Sequence, residues 1–175
     1  MFLNKIKLFF LISICLIFFF LTYNDVKSNE LKIISGIAKV TDGDTIRINK
    51  KKIRFYGIDA PEIKQKCRKP WLTISFLTFN KDYPCGEIST KKLKKKINDK
   101  FVTCKWIEKD RYKRFVAECF KNKVNINEWM VRNGYAIAYV KYSKKFIFQE
   151  NIAKREKLGL WAGSFEKPWD YRKKN

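Results

Sequence analysis

Asp44 and Asp59 stand at the two ends of a short alternating run, with Arg54 between them and Glu62 just beyond. Ile46, Ile48, Ile53 and Phe55 alternate with Arg47, Asn49, Lys52 and Arg54 on either side of Lys50 and Lys51. A period of two marks a pair of half-buried strands joined by a tight turn. An antiparallel pair returns the chain to where it began, so Asp44, opening the first strand, and Asp59, ending the second, come side by side. The chain has no histidine and this stretch has no cysteine, so its donors are hard oxygens, which suit calcium or magnesium rather than zinc. Such an ion with an arginine and a glutamate is fitted to an attack on phosphorus. Cation and guanidinium hold the developing negative charge while the glutamate prepares water.

Taken singly, Asp42-Gly43-Asp44-Thr45 and Asp59-Ala60-Pro61-Glu62 are ordinary turn formers. Together, and followed by Asp110-Arg111-Tyr112-Lys113-Arg114, they read as parts of one site. With Arg54 between them and Val131-Arg132-Asn133-Gly134 further on, the five motifs in this order resemble the staphylococcal nuclease, or thermonuclease-like, family over about residues 36–161. The resemblance implies an α+β fold, a five-stranded OB-type β-barrel with about three packed helices. It implies calcium held by Asp44, Asp59 and the backbone carbonyl of Ala60, with Glu62 acting on the attacking water. Arg54 and Arg114 would grip the phosphate, and Tyr112 and Tyr139 would line the nucleotide pocket, where a ring can stack on a base. On the strand reading of residues 110–114, Tyr112 and Arg114 share one face. The implied activity is calcium-dependent hydrolysis of DNA and RNA with little sequence preference, leaving 3′-phosphate ends. Ala60 stands where the family's best-known member has Thr, and Lys113 where a Gly is usual.

Two other classes fit part of the sequence. A catalytically silent OB-type module would bind nucleic acid without cutting it, and a basic surface protein would bind polyanions and lose them in salt. The joint presence of Asp44, Arg54, Asp59, Glu62 and Arg114 favours the enzyme.

Several elements must position these residues. Residues 31–40 read as a first strand, before the hairpin. Residues 64–85 read as an irregular stretch. Residues 86–98 form a helix with Ile88, Leu93 and Ile97 as its buried stripe and its lysines as a solvated face. Helices follow at about residues 127–133, ended by Gly134, and 145–157, with Leu160 and Trp161 as a packing anchor. From Glu166 onward the sequence suggests no element.

Four cysteines, Cys67, Cys85, Cys104 and Cys119, lie outside the leader, an even number that fits an oxidising compartment. Cys104 and Cys119 fall on two strands about equally far from the turn near Arg111, so they can face each other across a hairpin. Cys67 then pairs with Cys85.

Lys5 and Lys7 precede an uncharged apolar run over residues 8–21, the pattern of a secretory leader cleaved after Ser28. The alternative is an uncleaved anchor that tethers the domain to a membrane through residues 8–21. The protein would be secreted or periplasmic in the first case, and membrane-anchored outside the inner membrane in the second. Residues 29–175 then make one domain. Of the formal +22, three lysines and one aspartate lie in the first 28 residues, leaving +20. Such a charge attracts polyanions, DNA and RNA foremost. No protein partner is implied, and a monomer is expected.

Overall fold

A computed structural model describes residues 32–174; the leader reading of residues 1–28 lies outside them. The alternation in the hairpin does what its period requires. In β1 (Ile33–Val40), β2 (Thr45–Ile48) and β3 (Lys51–Phe55), Ile46, Ile48, Ile53 and Phe55 are fully buried. Arg47 and Lys52 face outward. The turn sits one residue earlier than expected, at Asn49 and Lys50, whose φ values of 47° and 66° are those of a primed hairpin turn that matches the strand twist. Asp59 also sits elsewhere than expected. The chain leaves β3 at Phe55, turns through Gly57 with φ at 70°, and places Asp59 on a separate short strand, β4 (Ile58–Asp59).

Residues 64–85 are more regular than their sequence suggests. β5 (Cys67–Ile74) and β6 (Leu77–Tyr83) form an antiparallel hairpin. The alternation of Leu72, Thr73 and Ile74 and of Leu77, Thr78 and Phe79 is only three residues long on each strand, and Pro70 with Trp71 breaks it at the register shift, which is why the sequence did not reveal the hairpin. α1 (Cys85–Ile97) follows, buries Leu93 and Ile97, and ends on Asn98 in a left-handed C-cap. Ile88 is half-buried and the helix lysines lie mostly in solvent, as expected.

β7 (Phe101–Lys109) and β8 (Phe115–Lys121) make the second hairpin, followed by β9 (Val124–Asn125) and α2 (Ile126–Arg132). The rest is β10 (Ile137–Ala138), α3 (Ile147–Arg155), a 3₁₀ turn over Gly159–Ala162, and α4 (Pro168–Lys174) on the tail. Strand order runs β3-β2-β1-β7-β8, and β8 pairs back onto β3 in parallel at Ile53–Phe115 through Phe55–Ala117. The five strands therefore close into a mixed OB-type barrel with four packed helices. Cys104 lies directly opposite Cys119 and is bonded to it, and Cys67 is bonded to Cys85.

Asn127, fully buried at the start of α2, ties three parts of this frame together. Its amide nitrogen donates to the carbonyls of Tyr56 (3.0 Å) and Ala117 (3.1 Å), and its oxygen accepts from the Cys119 amide (3.1 Å). The end of β3, from which Asp59 hangs, is thereby fixed to β8. Asn127→Ala strands these backbone groups in the core. It is expected to lower the unfolding free energy of the oxidised protein by about 2–4 kcal/mol in urea titrations, and a loss below about 0.5 kcal/mol would show that the barrel relaxes around the gap.

Candidate active site

Asp44 closes a tight turn. Its amide donates to the Asp42 carboxylate (3.0 Å), and its carbonyl accepts from the Phe55 amide (2.8 Å), which locks the turn to the end of β3. Gly43 is required here, because an added Cβ would lie 2.4 Å from Ser89 Oγ and 2.7 Å from Ala60 Cβ. The turn is pressed between α1 and the chain after β4. Asp44 Oδ2 accepts from the Ala60 amide (2.8 Å) and Oδ1 from the Thr45 hydroxyl (3.1 Å).

Asp59 reaches the same place from the other side. β4 pairs with β10, Asp59 opposite Ile137. β10 is held in turn by the buried Glu150 on α3, which accepts the Ala138 amide at 3.0 Å. Arg54, on the outward face of β3, spans the two aspartates: one Nη binds Asp44 Oδ1 and the other lies 2.5 Å from Asp59 Oδ1. Both carboxylates are buried, Asp59 completely. Two unneutralised charges could not persist there, so the guanidinium between them is what makes the pair tenable.

Glu62 is held by its backbone and by its side chain. The Gln65 amide donates to the Glu62 carbonyl (2.8 Å), and Gln65 Oε1 accepts from the Glu62 amide (3.2 Å). Gln65 is fully buried, and its Nε2 donates to the Glu166 carbonyl (2.7 Å), so one side chain ties Glu62 to the tail. The start of α1 closes from behind: an added Cβ at Gly86 would fall 1.7 Å from the Glu62 carbonyl oxygen.

Arg172 on α4 is a member of this cluster that the sequence reading missed. Its Nη1 donates to Glu62 Oε1 (2.7 Å) and Asp59 Oδ1 (3.1 Å), and its Nη2 to Asp59 Oδ2 (3.0 Å). Burial works against its charge, but the hydrogen bonds and charges of Asp59 and Glu62 prevail and raise its pKa above the ordinary arginine value. Nothing in the sequence singles out Arg172 from Lys173 and Lys174. Only Trp169 and Tyr171 beside it hint that the tail docks rather than trails.

Arg114 and the tyrosines are placed differently from the strand reading. Residues 110–114 form a turn between β7 and β8, so Tyr112 and Arg114 share no strand face. Asp110 shapes the turn by accepting the Tyr112 amide (2.9 Å), the Arg114 amide (2.9 Å) and Arg114 Nε (2.7 Å). Burial alone would raise the Asp110 pKa, and these hydrogen bonds outweigh it and hold the carboxyl below the usual range. Lys113 keeps the left-handed backbone that a glycine would take, with φ at 59°, at a cost of roughly 1–2 kcal/mol. The turn that presents Arg114 is therefore retained. Tyr112 is exposed, with the Arg111 and Arg114 guanidinium groups 4.8 and 5.4 Å from its ring centre.

Burial raises the Asp42 carboxyl, against Thr45 and the charges of both Arg54 and Arg114, so the two arginines act on one carboxyl at this end of the barrel. Tyr139 lies beside Asp59, and burial followed by the Asp59 charge raises its hydroxyl pKa. One face of its ring is covered by Trp169, stacked at 5.0 Å with the planes 9° apart. Tyr142 packs against the same ring at 4.8 Å with the planes 69° apart, so Tyr139 is held between two aromatic neighbours.

Among the described residues no three acidic, cysteine or histidine side chains gather into a metal site. The oxygen set does suit a hard divalent cation. Asp44 and Asp59 converge on one guanidinium, so their oxygens face a shared space, and the backbone of Ala60 is fixed against it by its hydrogen bond to Asp44.

A family model described as Staphylococcal nuclease homologue matches residues 52–163. A protein of Oryza sativa subsp. japonica named "Probable staphylococcal-like nuclease CAN3" is 35% identical over 133 residues, covering 74% of this chain and 30% of that protein. An "Uncharacterized endonuclease" of Escherichia coli O157:H7 is 32% identical over 147 residues, covering 78% of this chain and 84% of that protein. "Succinoglycan biosynthesis protein ExoI" of Rhizobium meliloti (strain 1021) is 31% identical over 136 residues, covering 76% and 67%. The chain thus spans less than a third of the rice relative and most of the Escherichia coli one. With a family model matched over more than half of the chain and a relative aligned along most of its own length, the chain belongs to the staphylococcal nuclease homologue family.

Proposed function

We propose that the protein is a calcium-dependent nuclease that hydrolyses phosphodiester bonds of DNA and RNA. One observation carries this reading: the buried Asp44 and Asp59 converge on Arg54 while Glu62 is fixed beside Asp59 through Gln65 and Arg172. A structural ion pair needs none of that apparatus around a half-exposed glutamate. The relatives named nuclease and endonuclease support the same reaction class.

Asp44, Asp59 and the Ala60 carbonyl would hold calcium, which would supply positive charge to the site. Glu62 accepts a proton from the attacking water, whose oxygen enters phosphorus opposite the departing 5′ oxygen and leaves a 3′-phosphate. Arg54 and Arg114 donate to the phosphate oxygens as charge builds on them, the task for which a planar guanidinium is suited. Asp110 takes only Nε of Arg114, so the Nη pair stays outside that ion pair. Tyr112 and Tyr139 line the nucleotide pocket, and recognition through phosphates leaves little sequence preference. The two disulfides fit an oxidising compartment, in keeping with export by a cleaved or retained leader over residues 1–28 and a monomeric domain over 29–175.

Glu62→Gln keeps the shape and removes the proton acceptor. Single-turnover cleavage of single-stranded DNA is expected to slow by about 10²–10⁴-fold while DNA affinity stays near that of the parent; near-parental turnover would exclude Glu62 from the chemistry. Arg172→Gln removes a cation that bonds both oxygens of Asp59. Calcium is expected to bind the variant more tightly in calorimetric titration, and unchanged or weaker binding would show that Arg172 does not compete with the ion.

A further inference from the structure

The hairpin of β5 and β6 runs against the composition of the whole chain. From Pro70 to Asn80 there is no charged residue, in a sequence that is 32% charged. Its register sorts the side chains. Leu72 pairs with Phe79 and Ile74 with Leu77, so these four share one face. Thr73 and Thr78 lie on the other, their hydroxyls 3.4 Å apart. Lys81, two residues from Phe79, falls on the apolar face nearer the root, and Lys69 is paired with it there. Phe76 at the tip is 88% exposed and Trp71, at the register shift, 68%. Among the described residues this sheet contains only its own two strands.

An isolated two-stranded hairpin is marginal in water, and among the described residues this one is pinned at its root. The Cys67–Cys85 bond joins it to α1, and Arg68 and Ser164 exchange two backbone hydrogen bonds of 2.9 Å. The fold thus holds an apolar tip away from the barrel on a firm base. A contiguous apolar surface of this kind marks a place where something else binds.

Charge and shape decide among the occupants. Single-stranded nucleic acid needs cations along its phosphates and rings for its bases. The stretch from Pro70 to Asn80 offers rings in Trp71, Phe76 and Phe79 but has no cation along which a phosphate backbone could run. A second copy would bring together two lysine pairs on two chains of formal charge +22. A bilayer with anionic headgroups meets both features: its acyl boundary takes the tip, and its headgroups meet Lys69 and Lys81, whose long stems let the ammonium groups stay at that level. We infer that the β5–β6 hairpin docks the protein on anionic lipid surfaces, with Phe76, Leu77 and Ile74 entering the bilayer and the Lys69–Lys81 pair at its headgroups. This does not rest on the nuclease reading.

The test uses the full oxidised chain with vesicles of phosphatidylcholine and phosphatidylglycerol, and with phosphatidylcholine alone. Phe76→Ser combined with Leu77→Ser changes two exposed side chains, and an unchanged urea midpoint would show that the fold is kept. The parent is expected to sediment with the anionic vesicles at least about tenfold more strongly than this variant, and Lys69→Glu with Lys81→Glu to weaken binding as well. Amide exchange gives a readout local to the hairpin, so the apolar run at residues 8–21 cannot mimic it: exchange in residues 69–81 should slow when anionic vesicles are added. Exchange there that ignores the vesicles would overturn the inference. So would a parental dimer abolished by the serine variant with lipid binding intact, or single-stranded DNA affinity lost with lipid binding intact. These last two results would assign the surface to a second copy or to nucleic acid.

Discussion

Arg54 lying between Asp44 and Asp59 is the constraint on which the remaining structure depends. Two carboxylates withdrawn from water at one end of a barrel repel each other and lose their hydration, and a shared cation offsets both effects. The fold is arranged to keep that geometry. The β2–β3 hairpin brings the Asp44 turn level with Arg54, the buried Gly43 lets that turn sit against Ala60 and Ser89, and the β4–β10 pair presents Asp59 from the opposite side. Asn127 fixes the chain between β3 and β4, and Glu150 fixes β10. Most of these supports lie on other elements than the residues they position, as preorganised charge requires.

A second set of contacts brings distant sequence to the same place. Gln65 ties Glu62 to the carbonyl of Glu166, Trp169 stacks on Tyr139, and Arg172 bonds Asp59 and Glu62. The Cys67–Cys85 bond sits in a small cluster with Leu160, Trp161, Phe165 and Trp169, so the same packing that anchors the exposed hairpin also seats the tail helix. Because Arg172 already bonds the oxygens of Asp59 and Glu62, any ion binding there must contend with a resident cation. Any affinity of this site for a cation would then depend on the tail as well as on the aspartates.

What could be read from the sequence follows from the range of each signal. Strand alternation is local, so Ile46, Ile48, Ile53 and Phe55 identified the hairpin, and the near-symmetric placement of Cys104 and Cys119 about a turn identified their bond. The barrel's closure through the parallel pairing of β3 and β8 has no local signature and was implied only by the ordered motifs. The hairpin at residues 67–83 was hidden because its alternating runs, Leu72 to Ile74 and Leu77 to Phe79, are three residues each and Pro70 with Trp71 interrupts the pattern. Lys113 departs from the residue type its turn favours, yet Asp110 holds the turn with three hydrogen bonds, so the departure cost conformational energy and left the shape. Arg172 was hidden because its role arises from contacts with residues more than a hundred positions earlier. The ring of Tyr139 likewise looked available until Trp169, from the same tail, was found against it.

The most direct test of the account is degradation of plasmid and single-stranded DNA by the oxidised protein with calcium, then with excess chelator. If the aspartate pair on Arg54 is the centre of a calcium-dependent nuclease, both substrates are degraded with calcium and degradation stops when chelator is added. DNA that is bound but left intact in calcium and magnesium alike would contradict the account and make the barrel a silent nucleic-acid-binding module.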